Sequence, residues 1–126
     1  MNLNCAKRIC LALGLAVGTA CGCNRNAGPP PPLAAGEIPV AMERGFSKAA
    51  PDVKEVVGQV VSAVQSKDYP KAATVAQALS ERPDLTSDQR LLVARAVLAL
   101  NGLLQSAQAQ GDADAAAALK FHQMTK

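Results

Sequence analysis

The chain has 126 residues and carries 13 Lys and Arg against 10 Asp and Glu, which gives a formal net charge of +3 at pH 7. Both signs of charge are interspersed and the aromatic residues are only two Phe and one Tyr, so the composition argues against nucleic-acid binding. All four cysteines lie within the first 23 residues and the chain has one histidine, which argues against a zinc site in the body.

The first 20 residues have the pattern of a secretory signal peptide. Lys7 and Arg8 precede an apolar run over residues 9–17, and small residues follow up to Ala20. A basic, then apolar, then small-residue order is typical of such signals. As a helix, residues 9–20 would extend only about 18 Å, whereas a hydrocarbon core is about 30 Å thick. We therefore expect cleavage after Ala20, in preference to a permanent membrane helix or a buried cytosolic helix.

The end of this signal predicts a lipid anchor. Gly18-Thr19-Ala20-Cys21 resembles the lipobox of bacterial lipoproteins, in which a small residue precedes an acylated cysteine. The resemblance implies cleavage between Ala20 and Cys21, diacylglycerol on the Cys21 sulfur and an N-terminal acyl chain such as palmitate; Cys23 is the alternative position. Gly22 after the cysteine implies an outer membrane location facing the periplasm, in preference to the inner membrane. Ordinary signal peptidase would instead give a soluble secreted protein.

Cleavage also changes the charge and the thiol content. The signal takes with it two of the 13 basic residues and none of the 10 acidic ones, so residues 21–126 have a formal net charge of +1. If Cys21 is acylated, Cys23 is the remaining thiol, and it can pair with another molecule or stay reduced. Zinc ligands must converge from a folded framework, and His122 lies about a hundred residues from these cysteines.

A proline-rich segment follows the predicted cleavage site. Residues 24–28 are polar or small, and residues 29–32 are four consecutive prolines, which favour polyproline II at about 3.1 Å per residue. We predict that residues 21–49 form a lipid-anchored, disordered linker that holds a folded unit away from the bilayer. The alternative is a ligand for a proline-binding domain, but the run lacks flanking determinants.

Residues 50–126 are predicted to form an all-α bundle of about four helices. Pro51 suits the first turn of the first helix, and Asp52 suits its positive N-terminal end. Valines spaced three and four residues apart predict one buried face; the alternative, a face on a membrane surface, lacks basic residues opposite it. The valines are Val53, Val56, Val57, Val60, Val61 and Val64.

A second helix should follow after a short turn. Asp68 can cap it, Pro70 suits its first turn, and Pro83 should stop it. Because only residues 66–69 separate the two apolar stripes, we expect an antiparallel hairpin. The inward residues are Ala72, Val75, Ala76 and Leu79. With Tyr69, Ala72 and Pro83 at matching places, residues 51–83 partly resemble a tetratricopeptide repeat, which implies a helical hairpin over about a quarter of the chain.

The third helix has a clear start. Thr86 and Gln89 fit a capping box, and the helix should run to about Gln110. Its apolar residues cover more than half of its circumference, which predicts a central position in the bundle. Gly111 can end this helix in a left-handed cap, and Asp112 can start a fourth helix that runs to about residue 123.

The body shows no convergent set of catalytic residues. Acid–base or nucleophilic chemistry needs at least two groups that meet, and the body has one histidine and scattered carboxylates. We interpret His122 as a surface or helix-end residue and Asp112 with Asp114 as helix-start charges. The sequence therefore predicts no enzyme, no metal and no cofactor.

The leading functional hypothesis is a lipid-anchored cell-envelope protein whose helical domain binds an unknown envelope protein or has a structural role. A core of mostly Val, Ala and Leu is thin for a domain of this size, so self-association or a partner helix is expected to complete it. The second hypothesis is a periplasmic carrier that holds a small ligand or lipid among the small side chains.

Overall fold

The computed structural model describes residues 28–125, and over this range the all-α prediction is confirmed. The predicted signal peptide (residues 1–20), Cys21 and Cys23 lie outside the described residues. A single 3₁₀ turn at Ala35–Glu37 is followed by five helices: α1 Ile38–Gly45, α2 Pro51–Gln65, α3 Tyr69–Ser80, α4 Ser87–Ala109 and α5 Ala113–Met124.

The helices α1 to α4 form a closed ring of neighbours. Helix α2 packs on α1 and α3, and α4 packs on α3 and α1. Helix α5 packs on α4 and, over a smaller area, on α3. Helices α2 and α4 therefore lie at opposite corners, with α1 and α3 between them. The prediction that α4 is central agrees with its contacts to three helices, although α3 also has three.

The first helix, α1, was not predicted from the sequence. Its Ile38 and Met42 are fully buried, as is Phe46 directly after it, and these residues follow each other at intervals of four. Leu33 is also buried. The predicted boundaries, a linker over residues 21–49 and a domain starting at 50, are therefore wrong, because the folded unit begins near Leu33. The prolines and glycines of residues 28–36 dominate the local composition and hide this short amphipathic pattern.

The missing helix supplies the bulkiest part of the core. Phe46, Ile38 and Met42 are the three largest fully buried side chains among the described residues. The valine face of α2 is confirmed, since five of the six valines are buried and Val56 is half-buried. Without these three side chains, the buried hydrophobic residues are Leu33 and the Val, Ala and Leu residues that the sequence predicts for the core of residues 50–126.

The predicted helix starts are confirmed. The Gln89 amide donates to Thr86 Oγ1 at 3.2 Å, and the Thr86 amide donates to Gln89 Oε1 at 3.0 Å, which completes the capping box of α4. Asp68 accepts a hydrogen bond from the Lys71 amide at 3.2 Å at the start of α3. Asp112 caps α5 in the same way. These bonds satisfy amide groups that would otherwise lack a partner in the first turn.

Candidate interaction surface

The proline-rich segment crosses the middle of α4. Arg95 Nε donates to the Pro31 carbonyl oxygen at 2.9 Å, and the Leu33 amide donates to the Arg95 carbonyl oxygen at 3.4 Å. A proline has no amide hydrogen, but its carbonyl still accepts, so the guanidinium can hold the segment from the side of the helix. The spacer predicted over these prolines is therefore shorter than expected, because residues 30–33 belong to the folded unit.

Two grooves flank this docked segment. The α1–α4 groove has a volume of about 470 Å³ and contains Leu33 in its wall, whereas the proline groove has a volume of about 300 Å³ and contains Pro30. Both are open to solvent along one side. The other walls of the α1–α4 groove are Gly36, Glu37, Val40, Ala41, Arg44 and Arg95, and those of the proline groove are Ser80, Ala94, Val97 and Leu98.

Large apolar side chains are exposed around these grooves. The exposed fractions are 57% for Val40, 51% for Leu91 and 40% for Leu98. Leu91, Arg95 and Leu98 share one face of α4 because four and three residues separate them. We call the surface made by Val40, Leu91, Leu98, residues 30–33, Arg44 and Arg95 the N-terminal face. The sequence predicts a wide apolar face for α4, and Leu91 and Leu98 are the part of this face that the neighbouring helices leave exposed.

Helix α4 is apolar both on its buried side and on part of its exposed side. By length and composition α4 is apolar enough to cross a membrane, a test that the core helix of a soluble protein also passes. In the bundle, Val93, Ala96, Leu100 and Leu104 are buried against neighbouring helices. The apolar composition of α4 therefore serves two surfaces, one inside the bundle and one on the N-terminal face.

The α1–α4 groove contains more positive than negative charge. Arg44 and Arg95 lie in its wall together with Glu37. Glu37 Oε2 accepts a hydrogen bond from the Ala34 amide at 3.2 Å, which holds this carboxylate at the start of the 3₁₀ turn. Arg44 lies in the last turn of α1 and is exposed. The groove thus combines an exposed guanidinium with apolar walls.

A second charged cluster lies where the α3–α4 loop meets α2. Arg82 donates to both carboxylate oxygens of Asp84, from Nε at 2.9 Å and from Nη2 at 2.7 Å, and its Nη2 also lies 2.5 Å from Asp52 Oδ2. Hydrogen bonding to the Arg82 guanidinium lowers the pKa of both Asp52 and Asp84 below the ordinary value of 3.8. The cluster fastens the loop to the first turn of α2, and sequence reasoning did not single out Arg82 because Asp52 is 30 residues away.

The remaining predicted residues lie at the helix ends. Asp112 is the N-cap of α5, Asp114 lies in its first turn, and His122 lies in its last turn, as interpreted from the sequence. His122 is half-buried, and its Nε2 has no hydrogen-bond partner among the described residues. Within residues 28–125 no three His, Cys, Asp or Glu side chains are arranged to hold a metal ion.

Residue 28, where the described structure begins, is seven residues after Cys21, the predicted lipidation site. No protein-family model, curated protein or solved structure matches this chain.

Proposed function

We propose that this chain is a lipid-anchored protein of the bacterial cell envelope, and that its five-helix domain is a protein-interaction or structural module. The observation that carries this proposal is the order of charges and apolar residues before Cys21, which is typical of an exported lipoprotein. The proposed mature chain starts at Cys21, and the docked segment and the buried core lie after it, from residue 30 onward.

The number of acyl chains decides whether this anchor is durable. Burial contributes about 0.8 kcal/mol per methylene group, and a single acyl chain binds a membrane only marginally. Diacylglycerol on the Cys21 sulfur together with an N-terminal acyl chain would hold the protein without a membrane-spanning helix. By the lipobox resemblance, Gly22 supports the periplasmic side of the outer membrane as the location.

Intact mass spectrometry of the protein extracted from bacterial membranes tests the anchor. We expect the mass of residues 21–126 plus acyl chains, loss of those chains in Cys21→Ala, and their retention in the matched control Cys23→Ala. The reverse result for the two variants would move the anchor to Cys23. An unmodified chain starting at residue 21 would make the protein a soluble secreted one, and an intact N-terminus would contradict export.

The role of the domain needs a second measurement on the acylated protein. Purification from envelope membranes under mild detergent should yield one stoichiometric partner protein if the domain is an interaction module. A lipid or small molecule that stays bound to the folded body, without a partner protein, would favour the carrier hypothesis instead. Mass spectrometry of the native complex distinguishes the two results.

A further inference from the structure

The tether between the proposed lipid anchor and the folded domain is shorter in the structure than the sequence predicts. Arg95 holds Pro31, and Leu33 is buried, so the folded unit starts about 17 residues earlier than the sequence predicted. Only the eight residues 22–29 then separate the acylated Cys21 from Pro30, the first residue that lines a groove. A chain extends by at most about 3.6 Å per residue, so the nine steps from residue 21 to residue 30 span at most about 32 Å. The domain is thus held close to the bilayer.

The tether joins the domain within its exposed apolar surface. Pro30 lines the proline groove beside Leu98, and Leu33 lines the α1–α4 groove beside Val40. The opposite corner of the bundle is different in character, because the exposed residues of α2 include Glu55, Gln59 and Ser62. The bundle therefore has an apolar side at the tether and a polar corner at α2, and two further exposed apolar side chains, Phe121 and Met124, lie in the last turn of α5.

We propose that the N-terminal face lies on the surface of the bilayer that holds the acyl chains. This inference rests on the proposed lipid anchor. Val40, Leu91 and Leu98 would enter the boundary between headgroups and acyl chains, where amphipathic surfaces insert by about 5–10 Å. Arg44 would meet the lipid phosphates at the edge of the same face.

The other occupants fit this surface less well. The chain between the anchor and the fold, Cys-Gly-Cys-Asn-Arg-Asn-Ala over residues 21–27, is too polar to fill two apolar grooves. If a second copy of the chain covered the N-terminal face, the tethers of both copies would start at the interface between them. Both tethers would still have to reach the same bilayer. The bilayer avoids both difficulties, because its interior is apolar and it meets the N-terminal face from the side on which the tether leaves.

Depth-dependent fluorescence quenching tests the orientation. The body contains no cysteine, so a Cys23→Ser background allows one label per protein while Cys21 carries the acyl chains. We would place an environment-sensitive fluorophore at Val40→Cys or Leu98→Cys, with Ser62→Cys on α2 as the matched control. The acylated proteins would be reconstituted into vesicles of phosphatidylethanolamine and phosphatidylglycerol, with and without lipids that carry bromine on the acyl chain.

We expect quenching at positions 40 and 98 to be several-fold stronger than at position 62, and a Leu91→Glu change to reduce the quenching at position 40. Helical circular dichroism checks that each variant is folded. Equal, weak quenching at all three positions would overturn the inference, as would quenching between labels that rises with the protein-to-lipid ratio, which indicates a second copy. A mass without acyl chains refutes the anchor and this inference together, whereas an acylated protein without selective quenching refutes this inference alone.

Discussion

Lys67 and Gly111 occupy equivalent positions at the ends of α2 and α4, and both have a left-handed backbone, with φ angles of 61° and 89°. In each turn the next residue is an aspartate whose amide donates to the carbonyl five residues earlier, at 2.8 Å for Asp68 and 3.0 Å for Asp112. Each aspartate then caps the following helix. The two turns line one groove, so the α2–α3 and α4–α5 hairpins turn at the same end of the bundle.

This equivalence predicts opposite effects of substitution at the two positions. A left-handed backbone costs a residue with a Cβ about 1–2 kcal/mol, and glycine avoids most of that cost. We expect Lys67→Gly to raise the free energy of unfolding by up to about 1 kcal/mol and Gly111→Ala to lower it by about 1 kcal/mol. Urea denaturation of both variants measures the two changes. A loss of stability in Lys67→Gly would contradict the left-handed backbone at residue 67.

Local and long-range features differ in how far the sequence predicts them. The capping residues Thr86 and Asp112 were predictable because each bonds within three residues of itself. The contact between Arg95 and Pro31 joins residues 64 positions apart, and no local pattern encodes it. Helix α1 lies between these two cases. Ile38 and Met42 have the four-residue spacing of a buried helix face, but the helix is too short to repeat it clearly.

The two phenylalanines provide a matched test of the corrected boundary. Phe46 is 1% exposed, whereas Phe121 is 58% exposed. We expect Phe46→Ala to lower the free energy of unfolding by about 3–5 kcal/mol, because it leaves a cavity in the core. Phe121→Ala should change it by about 0.5 kcal/mol or less. Thermal denaturation followed by circular dichroism compares the variants. Equal effects of the two substitutions would mean that residues 33–49 belong to the linker and not to the folded domain.

The same boundary predicts the outcome of a truncation. A chain that begins at Ala50 lacks Leu33 and the three largest buried side chains of the core, and it exposes the surfaces of α2 and α4 that α1 covers. We expect this chain to lose cooperative unfolding, whereas a chain that begins at Gly28 should keep it. Differential scanning calorimetry distinguishes the two. A cooperative transition of unchanged midpoint in the shorter chain would contradict the structural role of α1.

The Arg82 cluster predicts a dependence of stability on pH. Because Arg82 lowers the pKa of Asp52 and Asp84 in the folded state, their contribution is present above the ordinary pKa of 3.8 and is lost as pH falls through the lowered values. The difference in melting temperature between the natural protein and Arg82→Ala should therefore narrow below that pH. Lys54→Ala, an exposed cation on α2, is the control. A difference that is the same in acid and at neutral pH would assign the effect of Arg82 to packing.

Two glycines differ in the space around them, and this predicts different effects of adding a methyl group. Gly58 lies in α2 with no atom near the position of a Cβ, whereas a Cβ on Gly45 would overlap the side chain of Leu92 on α4. Alanine is favoured over glycine in a helix by about 1 kcal/mol, so Gly58→Ala should raise the free energy of unfolding by about 0.5–1 kcal/mol. At Gly45 the Leu92 side chain must move to make room, and we expect Gly45→Ala to be less stable than Gly58→Ala by about 1 kcal/mol or more. Urea denaturation of the two variants measures this difference, and equal gains would show that the Leu92 side chain moves aside at little cost.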